Sequence, residues 1–179
     1  SESRPILVLG MHRSGTSALT RLLALHGVAL GDALLPAAAD NPTGFWEHRE
    51  VVALHERLLA ALGRAWDDPR ALPSDWLEHP AAREAQAGIG ALLDREFAGH
   101  PAWAVKDPRL CRFVPLWRRA MAERGIDAVA VFALRHADEV AASLEARDGL
   151  PRGVGHLLWA RYLLDALAGS EGMARHAIR

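Results

Sequence analysis

The stretch Ile6-Leu7-Val8-Leu9-Gly10-Met11-His12-Arg13-Ser14-Gly15-Thr16-Ser17 decides the fold. Its first four residues are all apolar, the pattern of a strand buried on both faces of a parallel sheet. Gly10 breaks that run. From about Thr16 to His26 the positions Leu19, Leu22, Leu23 and His26 recur at helical spacing, and Gly27 stops the helix. Gly10-x-x-x-x-Gly15 between a strand and a helix is the arrangement of a phosphate-binding loop. Glycines let the backbone curl, successive N–H groups point inward, and the helix N-terminus adds positive potential. Thr16 and Ser17 supply hydroxyl donors, and His12 lies within the loop.

Outward from this unit, strands and helices alternate. Residues 28–45 (VALGDALLPAAADNPTGF) read as a long loop, and loops of that length inside a compact domain are usually functional or disordered. Helices are expected over about Trp46–Leu62 and Pro80–Phe97, separated by the loop WDDPRALPSDW. Ala102–Val105 reads as a second buried strand ending at Lys106-Asp107-Pro108, followed by a helix over Phe113–Arg124. Ala128–Leu134 is the clearest strand, ended by Arg135. Helices over Asp138–Ala146 and His156–Ala168 flank the loop DGLPRGVG. The terminal His176–Arg179 looks like the opening of one more strand, with the last part of the domain expected beyond it. This alternation predicts a single α/β domain over 1–179 with three layers, a parallel sheet between helices. In such sheets ligands sit beyond the carboxyl ends of the strands, where Gly10, Lys106 and Arg135 all fall.

Composition narrows the classes of function. Of 179 residues half are apolar and the net charge is −1, so nothing global points to nucleic acid or an anionic surface. A single cysteine, Cys111, excludes an internal disulfide and a Cys-rich metal site, and a reducing, cytoplasmic location is the simplest expectation. No apolar run approaches the roughly 20 residues that span a bilayer. Lys106 is the one lysine among twenty arginines.

The loop also discriminates between nucleotides. ATP and GTP loops continue Gly-Lys-Ser/Thr, the lysine serving the β- and γ-phosphates. Here Thr16 follows Gly15 and the cation stands upstream at Arg13, which points to a different phosphate ligand.

The string GMHRSGTSALTRLL (10–23) resembles the loop that holds the 5′-phosphosulfate of 3′-phosphoadenosine 5′-phosphosulfate in sulfotransferases, where Lys or Arg precedes Ser-Gly-Thr. LRHADEVAASL (134–144) is similar to that family's 3′-phosphate element, an Arg after a strand with a Ser eight residues on. NPTGFWEH (41–48) and KDPRL (106–110) are similar to segments of bacterial sulfotransferases that modify carbohydrates or lipids. The chain departs from the family at two places. Ala18 or Leu19 stands where many cytosolic members carry a Trp taken to stack on adenine, and their C-terminal basic, Gly-rich segment is not seen.

The resemblance implies a P-loop-type sulfotransferase fold and metal-free transfer of a sulfuryl group from that donor to a carbohydrate or lipid-linked hydroxyl. It implies His12, Arg13, Ser14, Gly15, Thr16 and Ser17 as the 5′-phosphosulfate cradle, and Arg135 with Ser143 as the 3′-phosphate site. Arg13 and Lys106 would stabilise charge on the sulfuryl group. Glu47 is the expected general base, with His48 and Asp107 as its rivals. Asp107-Pro108 also fits a helix start. Arg109 either binds an acidic acceptor or pairs with Asp107, and Trp46, Trp66 and Trp76 either stack on sugar rings or pack the core. Two other readings stay open, a P-loop kinase using ATP–Mg²⁺ and a non-catalytic nucleotide-binding module.

Overall fold

The computed structural model describes residues 4–39 and 42–179; Asp40 and Asn41, inside the long loop, and residues 1–3 lie outside them. The wholly apolar Ile6–Leu9 forms strand β1, buried from Leu7 onward. Thr16–Leu25 follows as helix α1. Later come helices α2 (Arg49–Ala61) and α3 (Pro80–Leu92), strand β2 (Ala104–Lys106) and helix α4 (Leu110–Ala122). Strand β3 (Val129–Ala133), helices α5 (Ala137–Asp148) and α6 (Arg152–Gly169) and strand β4 (Ala174–Ile178) complete the order. The four strands make one parallel sheet in the order β2-β1-β3-β4. β1 therefore has neighbours on both sides, Val8 standing beside Lys106 on β2 and Val131 on β3.

Alternate residues of a strand face opposite sides of its sheet, and the core divides accordingly. Leu7, Leu9, Val105, Ala130 and Phe132 join the large cluster built with α2 to α6. Val8 and Ala104 face the other way, against Leu19, Leu23 and Ala24 of α1 and Val28, Leu30 and Leu34 of the following segment. Helices thus cover both faces of the parallel α/β sheet.

Several boundaries differ from those read off the sequence. Helix α2 starts at Arg49 rather than Trp46, because Trp46 sits at φ 58° and His48 caps the helix, its Nδ1 accepting the Glu50 N–H. Strand β2 includes Lys106, which is its last residue rather than the first beyond it. Helix α4 begins three residues earlier than expected, at Leu110. The expected 80–97 helix is α-helical only to Leu92 and continues as a π segment, Leu93–Phe97.

The largest correction is at the glycines taken as a loop before α6. Only Gly149–Pro151 separate α5 from α6, with Gly149 at φ 68° ending the first helix. Gly155 lies inside α6, where a Cβ would come within 2.9 Å of the Ala141 Cα on α5. That close approach of two helices outweighs the poor helix propensity of glycine.

Gly153, two residues earlier in the same helix, has nothing within 4 Å of an added Cβ. Gly155→Ala is expected to destabilise by about 1–3 kcal/mol through overpacking, whereas Gly153→Ala is neutral or stabilising by up to about 1 kcal/mol. Urea midpoints of the two variants test this; equal shifts would refute the packing argument.

Candidate functional site

At the end of β1 the chain turns sharply into the loop. A Cβ on Gly10 would lie 2.7 Å from the Ala133 carbonyl oxygen of β3 and 2.8 Å from Thr16 Cγ2, so only glycine fits there. The Gly10 N–H donates to Cys111 Sγ at 3.1 Å; burial pushes that thiol up to about 12, so it stays protonated. The Ser14 N–H donates to the Met11 carbonyl, and Arg13 and Gly15 adopt φ 70° and 87°. These alternations of hand are how a loop turns its amides to one side. Arg13 and Trp46 are the two non-glycine residues with positive φ among the described residues. Such conformations cost about 1–3 kcal/mol each and cluster at functional sites.

A cavity of ≈590 Å³ opens in front of the loop. His12, Arg13, Gly15, Thr16 and Ser17 form one wall, and Glu47, Lys106 and Arg135 line it as well. Phe45, Trp66, Arg109 and Arg147 complete the lining, Trp66 beside His12 with ring centroids 4.9 Å apart and Phe45 beside Ser17, whose Oγ donates to its carbonyl at 3.2 Å. Of the remaining expected residues, Ser14 is buried behind the loop, and Asp107, His48 and Ser143 do not reach the cavity. Five cationic side chains (Arg13, Lys106, Arg109, Arg135, Arg147) and three carboxylates (Glu47, Glu56, Asp148) line it; Lys106 pairs with Glu47, Arg109 with Asp107 and Glu56, Arg135 with Glu139 and Arg147 with Asp148, while Arg13 bonds the Ser143 hydroxyl.

Lys106 and Glu47 form an almost fully buried ion pair, Nζ to Oε1 2.6 Å. Nζ also donates to Ser17 Oγ at 3.0 Å and to the Phe45 carbonyl at 2.9 Å, so all three of its hydrogens have partners. Burial raises the Glu47 carboxyl above its ordinary value; Lys106 opposes the shift without cancelling it. The long loop delivers Glu47 through a short antiparallel contact in which the Leu35 N–H donates to the Glu47 carbonyl and the Arg49 N–H to Ala33. His48 points away, its Nε2 lying 3.5 Å from Glu96 Oε2.

Asp107 sits behind the cavity, wholly buried. Its Oδ2 is 2.6 Å from His55 Nδ1, and its Oδ1 accepts from Arg109 Nη1 at 2.8 Å and from the Arg109 backbone N–H at 3.3 Å. His55 Nε2 in turn accepts from Trp117 Nε1 at 2.9 Å, which assigns the ring proton to Nδ1 and makes His55 the donor to Asp107. Burial works against the Asp107 carboxylate, yet the hydrogen bond from His55 and then the charge of Arg109 outweigh it and hold the group well below the usual range. The side chain that turns the start of α4 is therefore a firmly ionised anchor for Arg109, whose Nη2 reaches Glu56 Oε1 at 3.0 Å.

Arg13 and Ser143, expected on separate parts of the ligand, meet each other: Arg13 Nε donates to Ser143 Oγ at 2.8 Å. Arg135 lies beside them, its Nη1 donating to the Arg13 carbonyl at 3.1 Å and its Nε to Glu139 at 2.8 Å. The strand-end arginine and the glycine loop are thus directly joined.

Sequence reasoning missed Arg147, Glu56 and His55. Arg147 follows Ser143 by one helical turn, and Glu56 follows Val52 by one turn on α2, so i,i+4 spacing carried the signal. His55 is legible only through tertiary contact with Asp107, 52 residues away. Trp66 reaches the cavity because its loop is pinned from behind. The Trp66 carbonyl accepts from Tyr162 Oη at 2.6 Å, and the buried Arg112 donates to the carbonyls of Asp68 and Arg70. No family model matches the chain, and no curated protein is significantly similar to it.

His12 provides a test of this electrostatic picture. Burial, then the charge of Arg109, holds its imidazole well below its ordinary value, although Asp107 pulls the other way. In acid below that value the unfolded chain takes a proton that the folded chain refuses, so His12 removes stability as the pH falls. Glu47, whose folded value is raised, acts in the opposite sense just above the ordinary carboxyl value. On lowering the pH from about 7 to about 5, the urea midpoint of the parent should fall further than that of His12→Gln; identical pH slopes would refute the assignment.

Proposed function

We propose that the chain is a sulfotransferase of the P-loop type, using 3′-phosphoadenosine 5′-phosphosulfate as donor. The observation that carries this reading is where the cations stand around the loop. The position after Gly15 is a threonine, and the charges come instead from Arg13 within the loop and from Arg135 and Lys106 at the ends of the adjacent strands. A γ-phosphate site is expected to carry its lysine directly after that glycine, and this loop does not.

In this reading the loop amides and Arg13 hold the 5′-phosphosulfate. Arg135 takes the 3′-phosphate, aided by Ser143 once Arg13 turns to the ligand. An acceptor hydroxyl approaches from the side of Trp66 and Arg109. Its oxygen forms the new S–O bond as the bond from sulfur to the bridging oxygen breaks, and adenosine 3′,5′-bisphosphate leaves with the electron pair. Glu47 accepts the hydroxyl proton, a task suited by a carboxyl group whose proton affinity burial has increased. Lys106 holds that carboxylate in place and, by exchanging one of its three partners, can meet a sulfuryl oxygen. Asp107, with its proton affinity lowered and both oxygens engaged, serves here as the support of Arg109 and not as the base. Hydroxyls of carbohydrate or lipid-linked acceptors fit the aromatic and polar lining at Trp66 and Arg109.

Adenosine 3′,5′-bisphosphate at about 100 times its Kd should raise the melting temperature by about 5–10 °C. Stabilisation by ATP–Mg²⁺ alone would support the kinase reading and overturn this one. Arg135→Ala should weaken the bisphosphate about 10- to 100-fold while leaving adenosine 5′-monophosphate unaffected; unchanged selectivity would remove Arg135 from its role.

A further inference from the structure

Arg147 lines the cavity and has no part in the transfer described above. It stands in the last turn of α5, one turn beyond Ser143, so the helix whose hydroxyl meets Arg13 also carries this guanidinium. Two contacts hold it. Its Cζ lies over the Trp66 ring, 5.6 Å from the centroid, and its Nε donates to Asp148 Oδ2 at 2.7 Å. A cation in that position is attracted by the electron-rich face of the indole.

Trp66 is a firm platform for it. In its loop the carbonyls of Trp66, Asp68, Pro69 and Arg70 accept hydrogen bonds from Tyr162 and Arg161 of α6 and Arg112 of α4. The ring cannot withdraw without breaking that set. Since the guanidinium covers one face of the indole, the ring serves to place Arg147 rather than to offer that face to a sugar.

The hydrogen-bonding groups still unspent decide what this pair can bind. Among the described residues, Arg147 Nη1 and Nη2 have no partner, and neither has Asp148 Oδ1. The Nη groups are not sealed from solvent, the Arg147 side chain being 21% exposed. The pair is neutral as a whole and sets planar N–H groups beside a carboxylate oxygen. Arg109, which together with Arg147 acts on the His12 ring, is likewise neutralised, by Asp107 and Glu56. No surplus cation there would attract an acidic acceptor, and the phosphates of the sulfuryl donor would repel one. Two adjacent hydroxyls of a neutral sugar match the pair, one accepting from the guanidinium and the other donating to the carboxylate.

We propose that Arg147 and Asp148 form an acceptor subsite for a vicinal diol, selecting a neutral saccharide over a lipid-like alcohol. This rests on the sulfotransferase reading. Because Arg147 and Ser143 share one helix, the subsite keeps the acceptor at a set distance from the donor site.

Rates of sulfuryl transfer from 3′-phosphoadenosine 5′-phosphosulfate to the methyl glycosides of glucose, galactose and mannose, and to 1-hexanol, test this. Equilibrium binding of adenosine 3′,5′-bisphosphate and melting curves accompany them. The parent should sulfate at least one glycoside in preference to hexanol. Arg147→Ala should raise KM for that glycoside about 10-fold, with kcat within about threefold and bisphosphate affinity within about twofold. Asp148→Ala should raise KM in the same way, whereas Asp148→Asn, which keeps an accepting oxygen, should recover most of the loss. A parent that binds the bisphosphate yet sulfates no glycoside, or prefers hexanol, overturns the subsite. So does an unchanged glycoside KM in Arg147→Ala, or a loss of bisphosphate affinity there, which would place the residue on the donor. A parent that binds no bisphosphate overturns the donor assignment itself, and this inference falls with it.

Discussion

The buried ion pair between Lys106 and Glu47 is the constraint on which the site depends. Taking two charges out of water is costly, and their attraction compensates only when the remaining hydrogen-bonding capacity is met. Here it is met by Ser17 at the start of α1 and by the Phe45 carbonyl in the long loop. One ammonium thus joins the end of β2, the first turn after the glycine loop and the segment leading into α2. Removing either charge would leave the other buried and alone. The lone lysine in an arginine-rich chain stands where a compact ammonium can point at three oxygens at once, a geometry that the planar guanidinium fork does not reproduce.

Much of the architecture was legible because it rests on local patterns. Ile6–Leu9 and the run through Phe132 are apolar on both faces, so their burial in a parallel sheet followed from composition alone. Gly10 and Gly15 marked a turn that only glycine permits, and the observed approach of Gly10 to Ala133 is the physical reason. The reading failed where tertiary contact overrode local preference. Gly153 and Gly155 looked like breakers, yet α6 begins at Arg152 because α5 requires a residue without a side chain at Gly155. Trp46 looked helical, but the loop enters α2 through a left-handed residue.

The site divides in the same way. His12, Arg13, Glu47, Lys106 and Arg135 do line one cavity, because each sits at a strand end, in the glycine loop or at a helix entry. Ser143 was paired with Arg135 by sequence spacing, whereas in space its hydroxyl meets Arg13. The chain Trp117–His55–Asp107–Arg109 could not be read from spacing, since its members come from α2, α4 and the turn after β2. Its hydrogen bonds all run toward Asp107, so each partner fixes the proton position of the next. That order lets a wholly buried carboxylate remain ionised and gives Arg109 a fixed place at the cavity wall.

Arg13 illustrates a conflict between backbone and side chain. Its φ of 70° is one that glycine would adopt without penalty, so the loop would be more stable with glycine there. The position nevertheless carries the guanidinium that bonds Ser143 and stands over the cavity. If that guanidinium is what the ligand requires, selection cannot remove the strain without removing the charge. Stabilisation of this protein by sequence change then has a ceiling at the loop, and gains must be sought in parts of the chain that no ligand touches.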